Sequence, residues 1–235
     1  ALADCEMPGG LAEALQGFGL NTETLAQESQ VYQFLLVASP VRQSSRSPLT
    51  ELPAIPHQRH HKPVASLVML TCNQLDITKQ CVESLFEHTA TPFELIVVDN
   101  GSTDGTLEYL GDLVRSHSDI TLIANPVNLG YAAGNNQGIA VAEGEFIGIL
   151  NNDLILTAGW LERLIEQAQG HGSVGVVGPR SNVVSGPQEL ADLNYSDVTQ
   201  MHEEANKLAT AQLGRGFSHP RVVGFCMLIK RAVID

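Results

Sequence analysis

From residue 64 onward, apolar and polar positions fall into alternating blocks. Residues 66–71 (SLVMLT), 93–99 (FELIVVD), 120–124 (ITLIA) and 145–150 (EFIGIL) are short, nearly unbroken apolar runs. Runs of this length predict strands, and the first, 66–71, is of the kind buried on both faces. Between them lie stretches of helical period, over 75–88, 104–117, 131–142 and 159–169. In the first, Ile77, Cys81, Val82, Leu85 and Phe86 recur at spacings that place them on one face. A fifth short strand is expected at 174–177, a polar helix at 198–213 and a last strand at 221–230. Strands alternating with helices imply right-handed βαβ crossovers, so the class is α/β with a mostly parallel sheet.

The chain before residue 64 is of another kind. Residues 11–17 and 22–37 carry looser helical periodicity, with Leu25, Val31, Phe34 and Leu35 as buried candidates. This predicts a helical segment over 1–38, the tail of a preceding domain. Residues 39–63 hold five prolines among Ser, Arg and His, which forbids a regular helix and reads as a linker. Its His57, His60 and His61 have no carboxylate or Cys at ligand spacing, so a solvated basic patch is preferred to a metal site. The domain of interest is thus 64–235.

Composition narrows the partners. The 235 residues are 43% hydrophobic, enough for a sizeable core. Lys and Arg number 13 against 26 Asp and Glu, a net charge of −13. That excludes a non-specific nucleic-acid binder and a basic patch for anionic lipid. No apolar run reaches the roughly 20 residues of a membrane span. The start, ALADCEMPGG, has neither a secretory signal pattern nor an initiator Met, as in a piece of a longer polypeptide. Cys5, Cys72, Cys81 and Cys226 are dispersed, which suits a reducing cytoplasm better than a disulfide framework or zinc site.

In open parallel sheets, ligands bind beyond the carboxyl ends of the strands. The segments found there are Thr71-Cys72-Asn73-Gln74, Asp99-Asn100-Gly101-Ser102-Thr103-Asp104-Gly105, Asn125 to Gly130, and Asn151-Asn152-Asp153. All are polar and none is basic, as in a crevice that hydrogen-bonds a nucleoside and holds a divalent cation. Plainer readings stand beside this one. Asp99 either caps the turn at Asn100-Gly101 or points into the crevice; Asp104 or Thr103 caps the next helix. Gly130, Gly134 and Gly138 are spaced by four, which is neither a dinucleotide fingerprint nor a P-loop, and suits close helix–sheet packing. The Asn151–Asp153 triplet is either an ordinary turn or a hard oxygen donor set for Mg²⁺ or Mn²⁺.

Taken in order, VASLVMLTCNQ, FELIVVDNGSTDGT, ANPVNLGYAAGNNQGIA and GEFIGILNNDLILTAGWLERL resemble the inverting family 2 glycosyltransferases of GT-A fold. That fold is a Rossmann-like three-layer sandwich. The likeness is greatest to the branch with rhamnosyltransferases and galactofuranosyltransferases, which serve bacterial polysaccharide biosynthesis. It covers 64–163 and continues more loosely to VVGFCMLIKRAVID. The resemblance implies transfer of a sugar, with inversion, from a UDP-, GDP- or dTDP-linked donor to a glycan or lipid-linked acceptor. It implies work in the cytoplasm or at the cytosolic face of the membrane. Thr71 and Asn73 would border the nucleobase and ribose, and Asp99 would receive a base N–H. Gly134 and Asn135 would line the other side, with Gly101, Ser102, Gly130 and Asn151 on the same edges. Asn152 would face the ribose or the metal's water shell, and Asp153 would hold the metal. The triplet matches the family's DxD-like motif with Asn in place of two acidic residues, so it offers one carboxylate.

Negative charge develops on the leaving diphosphate, and a divalent cation stabilises it as a Lewis acid. An attacking hydroxyl also needs a general base, typically about 10²- to 10⁴-fold in rate. The family's base lies in an acidic pair shortly after the segment matched by VVGFCMLIKRAVID, and residue 235 precedes it. Asp235, Glu189, Asp192, Glu203 and Glu204 lack motif support, so no base is assigned. The chain then reads as the donor-binding part of a longer transferase. Three rivals differ in what they require. A sugar nucleotidyltransferase needs an early Gly-rich loop with Arg and Lys, and TCNQ supplies none. A phospho-receiver domain needs an acidic pair after the first strand. A non-catalytic nucleotide-sugar-binding module differs only in turnover.

Overall fold

The computed structural model describes residues 63–170, 172–190 and 193–234. The expected helical segment 1–38 and, apart from Pro63, the linker 39–63 with its histidines lie outside the described residues, as do Asp192 and Asp235. The elements in chain order are β1 (Ala65–Thr71), α1 (Leu75–His88), β2 (Phe93–Asp99), α2 (Thr106–Ser116), β3 (Ile120–Ala124) and α3 (Gly130–Val141). Then come β4 (Phe146–Asn151), α4 (Trp160–Gly170), β5 (Val176–Val177), a 3₁₀ turn (Gly186–Gln188), α5 (Val198–Ala211), β6 (Cys226–Lys230) and α6 (Arg231–Ile234). The strands form one six-stranded sheet in the order β3-β2-β1-β4-β6-β5. Helices alternate with them, giving the expected α/β class.

The described chain divides into two compact units interleaved in sequence. The first holds residues 68–75 and 95–142. Here β2 and β3 pair in parallel, from Leu95 opposite Ile120 to Asp99 opposite Ala124. Backbone bonds prolong the pairing past the strand ends: Asn100 N donates to Thr71 O at 2.8 Å, and Asn125 N to Asp99 O at 2.8 Å. The loops that carry the polar segments are therefore fixed by the sheet itself. Helix α3 lies close against β1 because Gly134 and Gly138 have no side chains. A Cβ at Gly134 would sit 2.3 Å from Leu70 Cδ1, and one at Gly138 would sit 2.4 Å from Val68 Cγ1. The packing reading of the four-residue glycine spacing holds for these two positions.

The second unit holds 63–67, 76–94 and the described residues from 143 onward. Strand β6 runs antiparallel to β4, from Phe146 opposite Lys230 to Leu150 opposite Cys226, and antiparallel to β5. The sheet is therefore mixed at this edge. Strand β6 does not follow β5 directly. The 3₁₀ turn and α5 lie between, and that long connection lets the strand reverse. Strand β6 also starts at Cys226 rather than 221. Helix α1 buries Thr78, Cys81, Val82, Ser84 and Leu85, while Ile77 and Phe86 stay 40% and 38% exposed. Phe86 instead stacks at the flank on Phe93, with ring centroids 5.6 Å apart. The buried face is thus turned from the expected one, and it takes in two hydroxyls. Helix α4 buries Trp160, Leu161, Leu164, Ile165 and Ala168. The Trp160 indole N–H donates to Thr89 Oγ1 at 2.8 Å, so its polar edge is satisfied.

Candidate functional site

In the first unit, the segments after β1 and β2 are joined by side chains. Asp99 is fully buried; its Oδ2 accepts Ser102 N at 3.0 Å. Ser102 Oγ accepts Asn73 N at 2.7 Å, and Asn73 Oδ1 accepts Thr103 N at 2.7 Å. The N-cap position of α2 falls on Gly105, and Asp104, one residue earlier, still meets the helix start: its Oδ1 accepts Thr106 N and Thr106 Oγ1. It also reaches across, its Oδ2 accepting Leu75 N at 3.0 Å. Desolvation pushes this carboxyl up, but the bonds from Thr106 and Leu75 outweigh it and hold the group below the usual carboxylate value. Gly101 has φ +81°, and a Cβ there would lie 3.1 Å from the backbone of Val127, so this tight turn requires glycine.

A second set of amides holds the segment after β3. Asn100 Nδ2 donates to Asn128 Oδ1 at 2.8 Å, and Asn125 Nδ2 donates to Asn100 Oδ1 at 3.0 Å. Asn125 and Gln137 exchange two further bonds, of 2.8 and 3.0 Å, which tie this loop to α3. Asn128 Oδ1 also accepts Gly130 N at the start of that helix. In the sequence Asn100, Asn125 and Asn128 stand out only as parts of polar loops. Asn100 and Asn125 directly follow β2 and β3, and that position is the available signal for them.

Thr71, Asn73, Asp99, Gly101, Ser102, Gly130, Gly134 and Asn135 all belong to this unit. Two of them present buried acceptors that no described donor meets: Asp99 Oδ1, and Oδ1 of Asn135, which is 1% exposed. Asn135 turns its amide N–H to Tyr131 O at 2.9 Å. Thr71 is fully buried, and Gly130 opens α3 at φ +83°.

Asn151, Asn152 and Asp153 belong to the second unit. The two hydroxyls on the buried face of α1 hold this loop. Thr78 Oγ1 accepts from Asn152 Nδ2 at 2.9 Å, and Ser84 Oγ accepts from Leu156 N at 3.0 Å. Asn152 is 5% exposed, its amide inside the unit. Asp153 is exposed. Burial pushes the neighbouring Cys81 thiol up to about 12; a backbone bond at Leu154 opposes this, and the charge of Asp153 adds to it. Asn151 Oδ1 is buried with no described donor. Among the described residues, no three His, Cys, Asp or Glu side chains gather into a metal cage. A carboxylate and an amide oxygen are nonetheless hard donors of the kind Mg²⁺ and Mn²⁺ take. Those ions are commonly held by one or two carboxylates, with substrate phosphates completing the shell. The residues present fit that mode.

Of the acidic residues considered as a base, Glu189 and Glu203 are exposed. Glu204 pairs with Lys207 at 3.4 Å.

Residues 66–235 match the family model described as glycosyl transferase family 2. An uncharacterised protein of Sinorhizobium fredii is 29% identical over 184 residues, which is 74% of this chain and 20% of that protein. The glycosyltransferase GlyG of Streptococcus pneumoniae is 32% identical over 42% of this chain and 33% of its own length. The glycosyltransferase AglE of Haloferax volcanii is 27% identical over 68% of this chain and 54% of its own. The chain thus spans between a fifth and about half of the length of these relatives. Among solved structures, a mannosyltransferase of Pyrobaculum calidifontis in complex with GDP-Man and Mn²⁺ is similar in fold. Its TM-score is 0.53 at 20% identity, covering 94% of this chain and 55% of that one.

Proposed function

We propose that this chain, which belongs to glycosyl transferase family 2, binds a nucleoside-diphosphate sugar and passes the sugar, with inversion, to a glycan or lipid-linked acceptor. The observation that carries the reading is Asp99. It is a fully buried carboxylate at a strand end with one oxygen fixed by Ser102 and the other unmet. A buried acceptor left unpaired is costly, and a nucleobase N–H would satisfy it. In this reading Thr71 and Asn73 border base and ribose, Gly134 and Asn135 line the opposite side, and Gly101, Ser102 and Gly130 shape the loops. Asn151 belongs to the donor edge, and Asp153 would hold Mg²⁺ or Mn²⁺. Asn152 serves from behind, through its bond to Thr78. When bound, the cation would stabilise charge on the departing diphosphate.

The neighbour solved with GDP-Man and Mn²⁺ supports a nucleotide-sugar donor and a divalent ion as ligand classes. The motifs favour the rhamnosyl and galactofuranosyl branch, with a UDP-, GDP- or dTDP-linked donor. No described helix is long and apolar enough to cross a membrane. A lipid-linked acceptor would be met at the cytosolic membrane face.

Thermal unfolding tests this. UDP, GDP or dTDP with Mn²⁺ should raise the melting temperature, because a ligand that binds only the folded state stabilises it. Asp153→Ala should remove the metal-dependent part of the rise and spare the rest. No shift with any of the three nucleotides would overturn the donor reading. Binding without turnover in the full-length polypeptide would favour a non-catalytic nucleotide-sugar-binding module.

A further inference from the structure

The segment between β1 and α1 has an unusual backbone. Asn73 and Gln74 both have positive φ, 59° and 64°, in succession. A single Asn in this region is common, but a neighbouring Gln there is not. Such a conformation persists only when its surroundings over-determine it.

The surroundings do so from both sides. Before the strained pair's end, Asn73 is held by Ser102 Oγ on its N–H and by Thr103 N on its side-chain oxygen. Directly after the pair, Leu75 N is held by Asp104 Oδ2. The same carboxylate uses its other oxygen on Thr106, the first residue of α2. Gly105, which precedes that helix, offers no side-chain cap of its own. One side chain therefore fastens the first residue of α1 to the first residue of α2. The left-handed turn lies between that fastening and the Asn73–Ser102 bond. Ser102 in turn holds Asp99.

We infer that Asp104 is a positioning residue for donor binding: it locks the Asn73–Gln74 turn, and so aims Asn73 and Ser102. This rests on the donor-site reading above. Asp104 need not touch the nucleotide. Without its second oxygen the turn can relax toward ordinary backbone, carrying Asn73 N away from Ser102.

The test is nucleotide affinity, measured by titration calorimetry with Mn²⁺ on whichever of UDP, GDP and dTDP the wild-type chain binds. Asp104→Asn should weaken binding by about 10-fold or more. Asp104→Ser keeps one acceptor for Thr106 N, as short hydroxyl turns do, and should show the same loss in a folded protein. Thr106→Val removes the hydroxyl's bond to Asp104 and keeps the one from the backbone N–H; with the Leu75 side untouched, it should lower the melting temperature and leave affinity within about 2-fold. Two further readouts separate positioning from mere stability. Asn73→Ala combined with Asp104→Asn should lose little more affinity than Asn73→Ala alone, since both act through one turn. Gln74→Gly, which tolerates the left-handed backbone unaided, should restore part of the affinity lost in Asp104→Ser. If the wild type binds nucleotide and folded Asp104→Asn and Asp104→Ser bind it equally well, the inference is overturned while the donor site stands. If the wild type binds no nucleotide, the donor reading fails and this inference fails with it.

Discussion

Thr78 is a small residue with a large share in placing the loop after β4. It is fully buried, and its hydroxyl is the partner of the Asn152 amide, itself almost fully buried. Thr78→Val keeps the shape and deletes the acceptor, so a buried N–H loses this partner. That should cost about 1–3 kcal/mol, read as a lower urea midpoint at unchanged slope. It should also weaken Mn²⁺-dependent stabilisation, because Asp153 follows Asn152 directly. Apolar periodicity does not mark Thr78 and Ser84 for the buried face of α1, since hydropathy cannot tell a hydroxyl facing solvent from one serving a buried loop. Asp99 carries both readings the sequence offered for it: Oδ2 caps the turn through Ser102 N, and Oδ1 is buried with no described donor. The strained turn at Asn73 and Gln74 left no trace in the residue types, because neither is glycine.

Helix α3 shows how an element can be chosen for thinness. Its glycines lie over Leu70 and Val68, and the helix itself was visible in sequence to within one residue at each end. Gly138→Ala should gain up to about 1 kcal/mol of helix propensity. It should lose about 1–3 kcal/mol to overpacking, because Val68 is fully buried and its methyl must move. Net destabilisation in a urea titration is the expected outcome, and a more stable variant would contradict the close packing.

Helix α5 is held differently. It has no buried residue, and His202 on it stacks on His88 of α1 with ring centroids 4.4 Å apart. Desolvation, then repulsion from His88, pushes His202 below its ordinary value, with Glu87 pulling the other way. A His depressed in the fold favours its neutral form. Its contribution is present above its unfolded value, about 6.5, and is lost as pH falls below it. Stability should therefore decline between pH 7.5 and 5.5, and His202→Gln should flatten that slope in urea titrations. The depressed carboxyls of Asp104 and Glu162 act only at lower pH, outside this window.

At the scale of the molecule, the α/β class and the family were readable because four strand-end segments occur in a fixed order. The mixed edge of the sheet was not. Alternating strands and helices imply parallel crossovers, and nothing in CMLIK says which way a strand will run when a long connection precedes it. The net charge of −13 gains a use here. An acidic chain that handles a diphosphate gains most from a bound cation, which makes the Mn²⁺ increment in the thermal experiment the more telling of its two arms.

The antiparallel pairing of β4 with β6 also dictates an order of events during synthesis. The paired residues lie about 80 positions apart, so a long loop must close before they meet. Until Cys226–Lys230 leave the ribosome, one edge of an apolar strand, Phe146 to Leu150, lacks the partner it has in the described sheet. Open edges of that kind recruit other chains. Nascent polypeptides stalled or cut between residues 151 and 225 should therefore aggregate rather than stay as folded halves. Pelleting of truncations ended at 220 and at 234, expressed side by side, would show whether residues 221–234 are what keeps the polypeptide apart from its neighbours.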